Sequence, residues 1–106
     1  MISQIKKFLG IKPAPDYNQL RKDGGIIVDV RSKAEYATGH IKGSKNIPLP
    51  DLQSSTGMLK DKSKPIITCC ASGMRSASAK SLLQSKGYTN VHNGGSWASL
   101  NKKVAV

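Results

Sequence analysis

One stretch of the sequence passes directly from a β-strand pattern into a helical one: PIITCCASGMR, residues 65–75. Its apolar first half reads as a buried strand, and residues 76–86 repeat apolar side chains at the i, i+3, i+4 spacing of a helix. Between them lies a loop that starts at Cys70 and ends in Arg75. Loop amides, the positive helix end and the guanidinium would all point at the sulfur and favour the thiolate. We therefore predict that Cys70 is a nucleophile.

The rest of the chain alternates strand and helix patterns. Residues 26–30 read as a strand buried on both faces, and short strands are predicted around residues 46–47 and 90–92. Helices are predicted through Arg21 after an Asp16 cap, over residues 31–37 and 76–86, and near Trp97, whereas residues 51–59 are ambiguous. This alternation predicts an α/β fold, a small, mostly parallel sheet flanked by helices on both faces. The Cys70 loop would lie at the carboxyl end of a strand.

The length of 106 residues predicts a single domain. We expect it to span residues 15–106, after an N-terminal amphipathic extension of residues 1–14. Within that extension Ile2, Ile5 and Phe8 repeat at helical spacing. Two helical turns are a weak membrane anchor, so we expect packing against the domain edge and no stable membrane insertion. Lysines at positions 6 and 7 interrupt any signal-peptide core, and secretion is not expected.

The formal net charge of +11 attracts anions, such as small oxyanions or acidic proteins. Specific nucleic-acid binding is not expected, because the lysines are scattered and only one Trp, three Tyr and one Phe could stack on bases. The two cysteines are adjacent and predict no disulfide, which fits reduced thiols in a cytoplasm. With His40 and His92 they do not have zinc-ligand spacing, so we predict no metal.

Two groups of motifs resemble the signatures of one family, the rhodanese-like domains. The first comprises IVDVR (27–31), EY (35–36), GHIKGS (39–44) and NIP (46–48), and the second is the loop CASGMRS (70–76). The resemblance runs from about Asp16 to the C-terminus, with both motifs in the family's order. It implies a single-domain sulfurtransferase that needs no cofactor.

In such an enzyme, the resemblance implies, Cys70 takes a sulfane sulfur from a small anionic donor such as thiosulfate and becomes a persulfide. The sulfur then passes to a nucleophilic acceptor, a small thiol or an acidic protein. Arg75 would close the loop and hold its charge, and Gly73 would allow a turn with positive φ. The residues expected to bind substrate are Ala71, Ser72, Gly73, Met74 and Ser76.

The neighbouring Cys69 gives a second possible spacing between a reactive cysteine and Arg75. Counted from Cys69 the spacing to Arg75 is Cys-x5-Arg, as in cysteine-dependent phosphatases, whereas from Cys70 it is Cys-x4-Arg. Strand alternation favours Cys70 at the loop mouth and Cys69 in the core, and Gly73 has the usual turn-glycine spacing from Cys70. A cysteine-dependent phosphatase acting through Cys69 or Cys70 is therefore one rival, and a non-catalytic rhodanese-like module that binds a partner or an anion is another. Retention of Cys70 and Arg75 argues against the inert module.

Four further residues match signature positions without a catalytic role being implied. Arg31 and Glu35 are spaced i, i+4 and are interpreted as an ion pair. Asp29 ends a strand, where we expect hydrogen bonds to its own turn. His40 precedes a turn and is interpreted as a structural histidine.

Overall fold

The fold is built on four parallel strands in the order β2-β1-β3-β4. A computed structural model describes residues 15–104. The strands are β1 (Ile26–Asp29), β2 (Lys45–Asn46), β3 (Ile66–Cys70) and β4 (Val91–Ser96). The helices are α1 (Tyr17–Lys22), α2 (Lys33–Thr38), α3 (Leu49–Leu52), α4 (Met74–Ser85) and α5 (Trp97–Lys103), with a 3-10 turn at Thr56–Met58. The predicted α/β architecture with a parallel sheet is confirmed, whereas the helix predicted within residues 1–14 lies outside the described residues.

Helices cover both faces of the sheet, as the sequence predicted. One core cluster packs Val28 and Cys70 of the sheet against Ala79 and Leu83 of α4. The cluster on the other face contains Cys69, together with Tyr17 of α1 and Leu100 of α5. Because successive strand residues point to opposite faces, the two cysteines belong to different cores. Within residues 15–104, no helix combines the length and apolarity that crossing a bilayer requires.

The elements around the loop differ from the sequence prediction at their ends. β4 continues to Ser96, beyond the expected residue 92, because the register with β3 shifts between Thr68 and Cys70 and pairing resumes at Cys70 with Ser96. α4 starts at Met74, two residues before the predicted residue 76. The ambiguous residues 51–59 contain the end of α3 and the 3-10 turn. As a result, the loop is shorter than expected and β4 reaches alongside it.

An ion pair stabilises the turn that follows β1. Arg31 Nη2 lies 2.7 Å from Asp29 Oδ2, and the two side chains are 4% and 0% exposed. The Arg31 guanidinium also donates to the carbonyl of Gly39 at 2.7 Å and lies 4.7 Å from the Trp97 ring centroid. Asp29 accepts from the amide of Arg31, so the expected bonding to its own turn is confirmed. The predicted ion pair of Arg31 with Glu35 is wrong, because the guanidinium of Arg31 pairs with the buried carboxylate of Asp29.

Candidate active site

The loop after β3 is a tight turn that folds back over the sulfur of Cys70. Cys70 is the last residue of β3, and residues 71–73 connect it to α4. Gly73 has φ +101°, a backbone conformation that glycine adopts without steric cost. A Cβ at this position would lie 3.3 Å from Cα of Gly95. The turn therefore requires glycine both for its backbone angle and for its contact with β4.

Hydrogen-bond donors converge on the Cys70 sulfur. Its Sγ accepts from the amides of Gly73 at 3.0 Å and Ser76 at 3.4 Å. The hydroxyl oxygen of Ser76 lies 3.5 Å from the same sulfur. These groups belong to the start of a 12-residue helix, whose dipole places partial positive charge at this end. The arrangement can stabilise a negative charge on sulfur.

The ionisation of Cys70 is set by two opposing effects. Burial by itself raises the pKa of the thiol. Hydrogen bonds from the Ser76 hydroxyl and amide and from the amides of Gly73 and Ser72 lower the pKa, and together they outweigh the burial. The net result is a pKa below the ordinary value for cysteine, which increases the thiolate fraction near neutral pH.

The sulfur lies at the floor of the loop, deeper than the loop mouth where the sequence placed it. Cys70 is only 1% exposed. By contrast, Ala71 and Ser72 above it are exposed, and Met74 is 79% exposed although it is a large apolar residue. Ser76 is fully buried. We therefore expect a small donor to reach the sulfur more readily than a bulky one.

Cys69 has the opposite environment. It is fully buried in the core cluster on the other face of the sheet. Burial, followed by the nearby charge of Asp29, raises the pKa of Cys69 to about 12. Its thiol is therefore protonated at physiological pH and belongs to the core, as the strand alternation predicted.

The guanidinium of Arg75 pairs with a carboxylate on α2. Its Nη1 and Nη2 donate to Oε1 and Oε2 of Glu35 at 2.8 and 3.0 Å. These hydrogen bonds from Arg75 lower the pKa of Glu35 to about 2. The amide of Ser32 also lowers it, through the capping box at the start of α2. Among the described residues, no hydrogen bond joins Arg75 to Cys70, so the prediction that the guanidinium points at the sulfur is wrong. Arg75 instead closes the loop onto α2.

His40 has contacts that suit a structural residue. Its Nδ1 lies 2.8 Å from the Tyr36 carbonyl oxygen, and its ring stacks on that of Tyr36 with centroids 3.8 Å apart. The hydroxyl of Tyr36 in turn donates to the Ser44 carbonyl at 2.7 Å. These bonds tie α2 to the segment that leads into β2, in agreement with the structural interpretation of His40.

Sequence reasoning missed Asn93, which lies on β4 beside the loop. Its Oδ1 is 2.6 Å from the Ser76 hydroxyl and 2.9 Å from the Gly95 amide, and its Nδ2 donates to the Gly73 carbonyl at 3.3 Å. The available signal was an Asn-Gly-Gly sequence at the end of a strand predicted to lie parallel to the Cys70 strand. Carboxyl ends of parallel strands meet at one edge of a sheet, so a polar residue there was a candidate neighbour.

Comparison with known proteins gives one consistent result. Residues 13–102 match the model of the rhodanese-like domain family. The thiosulfate sulfurtransferase GlpE of Pseudomonas fluorescens is 34% identical over 83 residues, which cover 74% of this chain and 72% of that protein. The thiosulfate sulfurtransferase PspE of Escherichia coli is 35% identical over 69 residues, covering 64% and 66%.

Solved structures agree with the sequence comparison. A rhodanese from E. coli, determined with anions, superposes with a TM-score of 0.68 at 32% identity and covers 71% of this chain and 89% of that chain. A human single-domain sulfurtransferase superposes with a TM-score of 0.71 at 28% identity, covering 84% and 92%. The similarity to these structures therefore covers most of the fold, and the family match over residues 13–102 spans the loop.

Proposed function

This chain belongs to the rhodanese-like domain family and is a sulfurtransferase, and we propose that Cys70 is the residue that carries the transferred sulfur. The observation that supports this role is the convergence of the Gly73 and Ser76 amides on Sγ, at 3.0 and 3.4 Å. A cysteine with a lowered pKa beside a helix N-terminus has the properties of a nucleophile. We also propose that the chain consists of an N-terminal extension, residues 1–14, and a rhodanese-like domain, residues 15–106.

The proposed reaction has two displacement steps. In the first, the Cys70 thiolate attacks the outer sulfur of thiosulfate, a sulfur–sulfur bond forms, and the sulfur–sulfur bond of the donor breaks. Sulfite leaves with the electron pair of that bond, Sγ becomes neutral, and the outer sulfur of the persulfide keeps its negative charge. In the second step, a nucleophilic acceptor takes the outer sulfur and the Cys70 thiolate leaves. No cofactor and no metal are needed for either step.

The loop amides have the same role in both steps. They can donate to an anionic sulfur at the floor of the loop, and they do not reorganise when the charge moves outwards by one bond. Ala71, Ser72 and Met74 form the exposed rim, and their side chains carry no charge. We therefore propose that these three residues shape the entrance, while Gly73 and Ser76 bind the sulfur.

Attraction of the donor comes from the whole protein. The charge of Arg75 is paired with Glu35. The net charge of +11 nevertheless attracts anions and raises the local concentration of a small anionic donor or an acidic acceptor protein. We propose thiosulfate as the donor class, with a small thiol or an acidic protein as acceptor. The free, buried state of both cysteines suits a reducing compartment, and we propose a cytoplasmic location.

The phosphatase alternative has less support from the site. Its longer register requires the thiolate at Cys69, whose pKa is raised to about 12 by burial and by Asp29. It also needs a guanidinium to bind phosphate oxygens, whereas both terminal nitrogens of Arg75 donate to Glu35. A module without catalysis does not require a cysteine whose pKa is lowered.

A mass measurement tests the proposal. Incubation with thiosulfate should add one sulfur atom to the intact protein, and cyanide should then remove it as thiocyanate. Cys70→Ala should abolish both observations, and the matched control Cys69→Ala should retain them. Absence of the adduct together with hydrolysis of an aryl phosphate would instead identify a phosphatase, and inactivity in both assays would identify a binding module.

A further inference from the structure

The hydroxyl group of Ser76 has more acceptors around it than it has protons. Its oxygen lies 2.6 Å from Asn93 Oδ1, 3.0 Å from the Gly73 carbonyl and 3.5 Å from Cys70 Sγ. A serine hydroxyl carries a single proton, whereas the amide oxygen of Asn93 and the carbonyl oxygen of Gly73 can only accept. The proton can therefore satisfy one of the three at a time. The shortest distance favours Asn93 while Cys70 is a neutral thiol, whereas a charged thiolate is a stronger acceptor and competes for the same proton.

The orientation of the Asn93 amide is fixed by its other two hydrogen bonds. Gly95 donates its amide proton to Oδ1 at 2.9 Å, and Nδ2 donates to the Gly73 carbonyl at 3.3 Å. The reversed amide would place its NH2 group against the Gly95 N–H and its oxygen against a carbonyl. The atom next to the Ser76 hydroxyl is therefore an oxygen, and the serine is the donor.

The direction of the Ser76 proton changes what the sulfur of Cys70 experiences. When the hydroxyl proton points at Asn93, the serine oxygen turns its lone pairs towards the sulfur. These lone pairs can accept a hydrogen bond from a thiol, but they cannot stabilise a thiolate. With the proton turned towards sulfur, the hydroxyl stabilises the thiolate. We propose that Asn93 is a positioning residue that competes with the Cys70 sulfur for the Ser76 proton and so limits the hydrogen bonding available to the thiolate.

This competition, which rests on the proposed role of Cys70, destabilises the free thiolate relative to the persulfide. A thiolate that receives fewer hydrogen bonds is the stronger nucleophile, while a smaller fraction of the thiol is ionised. Once the persulfide has formed, the negative charge lies on the outer sulfur, and Sγ neither bears the charge nor carries a proton. In the persulfide, the hydrogen bond from the Ser76 hydroxyl to Asn93 therefore does not deprive a charged sulfur of a donor. Asn93 thereby shifts the balance from free thiolate towards persulfide.

The other titratable groups near the sulfur do not vary near neutral pH. Cys69 on β3 is protonated because burial and then Asp29 raise its pKa to about 12. Arg75 on α4 is charged and paired with Glu35 on α2. On β4, burial and then the charge of Lys80 lower the pKa of His92, so its ring is neutral above about pH 7. Removal of Asn93 should therefore act on Cys70 through Ser76.

The test measures the rate of Cys70 alkylation by iodoacetamide as a function of pH, with the modified peptide identified by mass. Asn93→Ala removes the nearest competing acceptor and leaves the Gly73 carbonyl, at 3.0 Å, as the remaining one. Because a charged thiolate is a stronger acceptor than a carbonyl, the apparent pKa of Cys70 should fall, by about one unit. The same substitution in a Ser76→Ala background should leave the pKa unchanged. Alkylation requires no sulfur donor, so its result is independent of whether the protein transfers sulfur.

Several results would overturn the proposal. A pKa that rises or stays constant in Asn93→Ala would show that the amide only braces the loop. An equal fall with and without Ser76 would show that the effect does not pass through the hydroxyl. If Asn93→Ala does not fold, Asn93→Asp keeps the acceptor oxygen and should raise the pKa more in the presence of Ser76 than in its absence. Equal rises of the Cys70 pKa in the two backgrounds would show that the added negative charge acts on the sulfur without Ser76, which would contradict the proposal.

Discussion

Glu35 and Arg75 form a two-bond ion pair, with Nη1 to Oε1 at 2.8 Å and Nη2 to Oε2 at 3.0 Å, across 40 positions of sequence. The side chains are 39% and 38% exposed for Arg75 and Glu35. This pair joins α2 to the start of α4 and leaves the loop amides as the donors that contact the Cys70 sulfur. The carboxylate of Glu35 therefore offsets part of the positive charge that Arg75 presents to Cys70.

The titration of Glu35 should reveal this pair. Hydrogen bonding from Arg75, with the Ser32 amide, lowers the pKa of Glu35 from 4.5 to about 2. Because the folded-state pKa is lowered, the stabilisation is present above the ordinary pKa and is lost as the pH falls towards 2. Carboxyl NMR shifts should show a midpoint near 2, which returns towards 4.5 in Arg75→Ala. A wild-type midpoint already near 4.5 would contradict the pairing in solution.

Substitutions in the pair should have opposite effects on Cys70. Arg75→Ala leaves the Glu35 carboxylate without its partner and should raise the pKa of Cys70, whereas Glu35→Gln leaves the guanidinium free and should lower it. The double variant Glu35→Gln/Arg75→Ala removes a neutral pair and should change the pKa less than either single change. The pH dependence of alkylation measures all four proteins. A rise in the double variant as large as that in Arg75→Ala would assign the effect to the guanidinium itself.

The turn glycine of the loop should not tolerate a side chain. Gly73→Ala introduces a Cβ at φ +101° and 3.3 Å from Gly95 Cα. The left-handed backbone alone costs about 1–2 kcal/mol for a residue with a Cβ. We expect that loss in urea unfolding, together with slower alkylation of Cys70. Gly57→Ala is the matched control, because a Cβ at Gly57 would meet nothing within 4 Å. Equal stability of the two variants would refute this account.

The buried ion pair in the turn after β1 should contribute strongly to the stability of the fold. Asp29→Ala leaves the Arg31 guanidinium without its carboxylate in a site where the side chains are 4% and 0% exposed. Removal of one partner of such a pair costs about 3–5 kcal/mol. Urea unfolding should show this loss, while Asp23→Ala on the exposed end of α1 should stay within about 0.5 kcal/mol of wild type. A cost near that of Asp23→Ala would show that solvent or another group satisfies Arg31.

The two cysteines should differ in reactivity despite being neighbours. In the folded protein at about pH 8, iodoacetamide should modify Cys70 alone, since burial and Asp29 raise the pKa of Cys69 to about 12. Cys69 is also fully buried. After unfolding, both thiols should react. Peptide mass analysis distinguishes the sites, and early modification of Cys69 in the folded state would reverse the assignment of the nucleophile.

Local patterns in the sequence were sufficient for the architecture. The alternation of apolar runs with helical spacing predicted a parallel sheet covered on both faces, and it placed Cys70 where a strand leads into a helix. The two-residue period of a strand also separated Cys69 from Cys70 correctly. These predictions succeed because each depends on residues within a few positions of one another.

Contacts between distant residues were beyond these patterns. The i, i+4 spacing suggested that Arg31 pairs with Glu35, yet Arg31 binds the buried Asp29 and Glu35 binds Arg75. Asn93 had no sequence-based role, because its meeting with Ser76 depends on how β4 pairs with β3 after the register shift.

The sequence by itself determined the strand–loop–helix unit and which of the two cysteines packs on the α4 face of the sheet, because hydrophobic period and turn residues act locally. Only the tertiary structure decided which carboxylate neutralises Arg75, how deep the Cys70 sulfur lies and which group competes for the Ser76 proton. Those outcomes depend on a few tenths of an ångström between elements far apart in the chain, and the energy of a hydrogen bond or an ion pair depends on that distance and on burial.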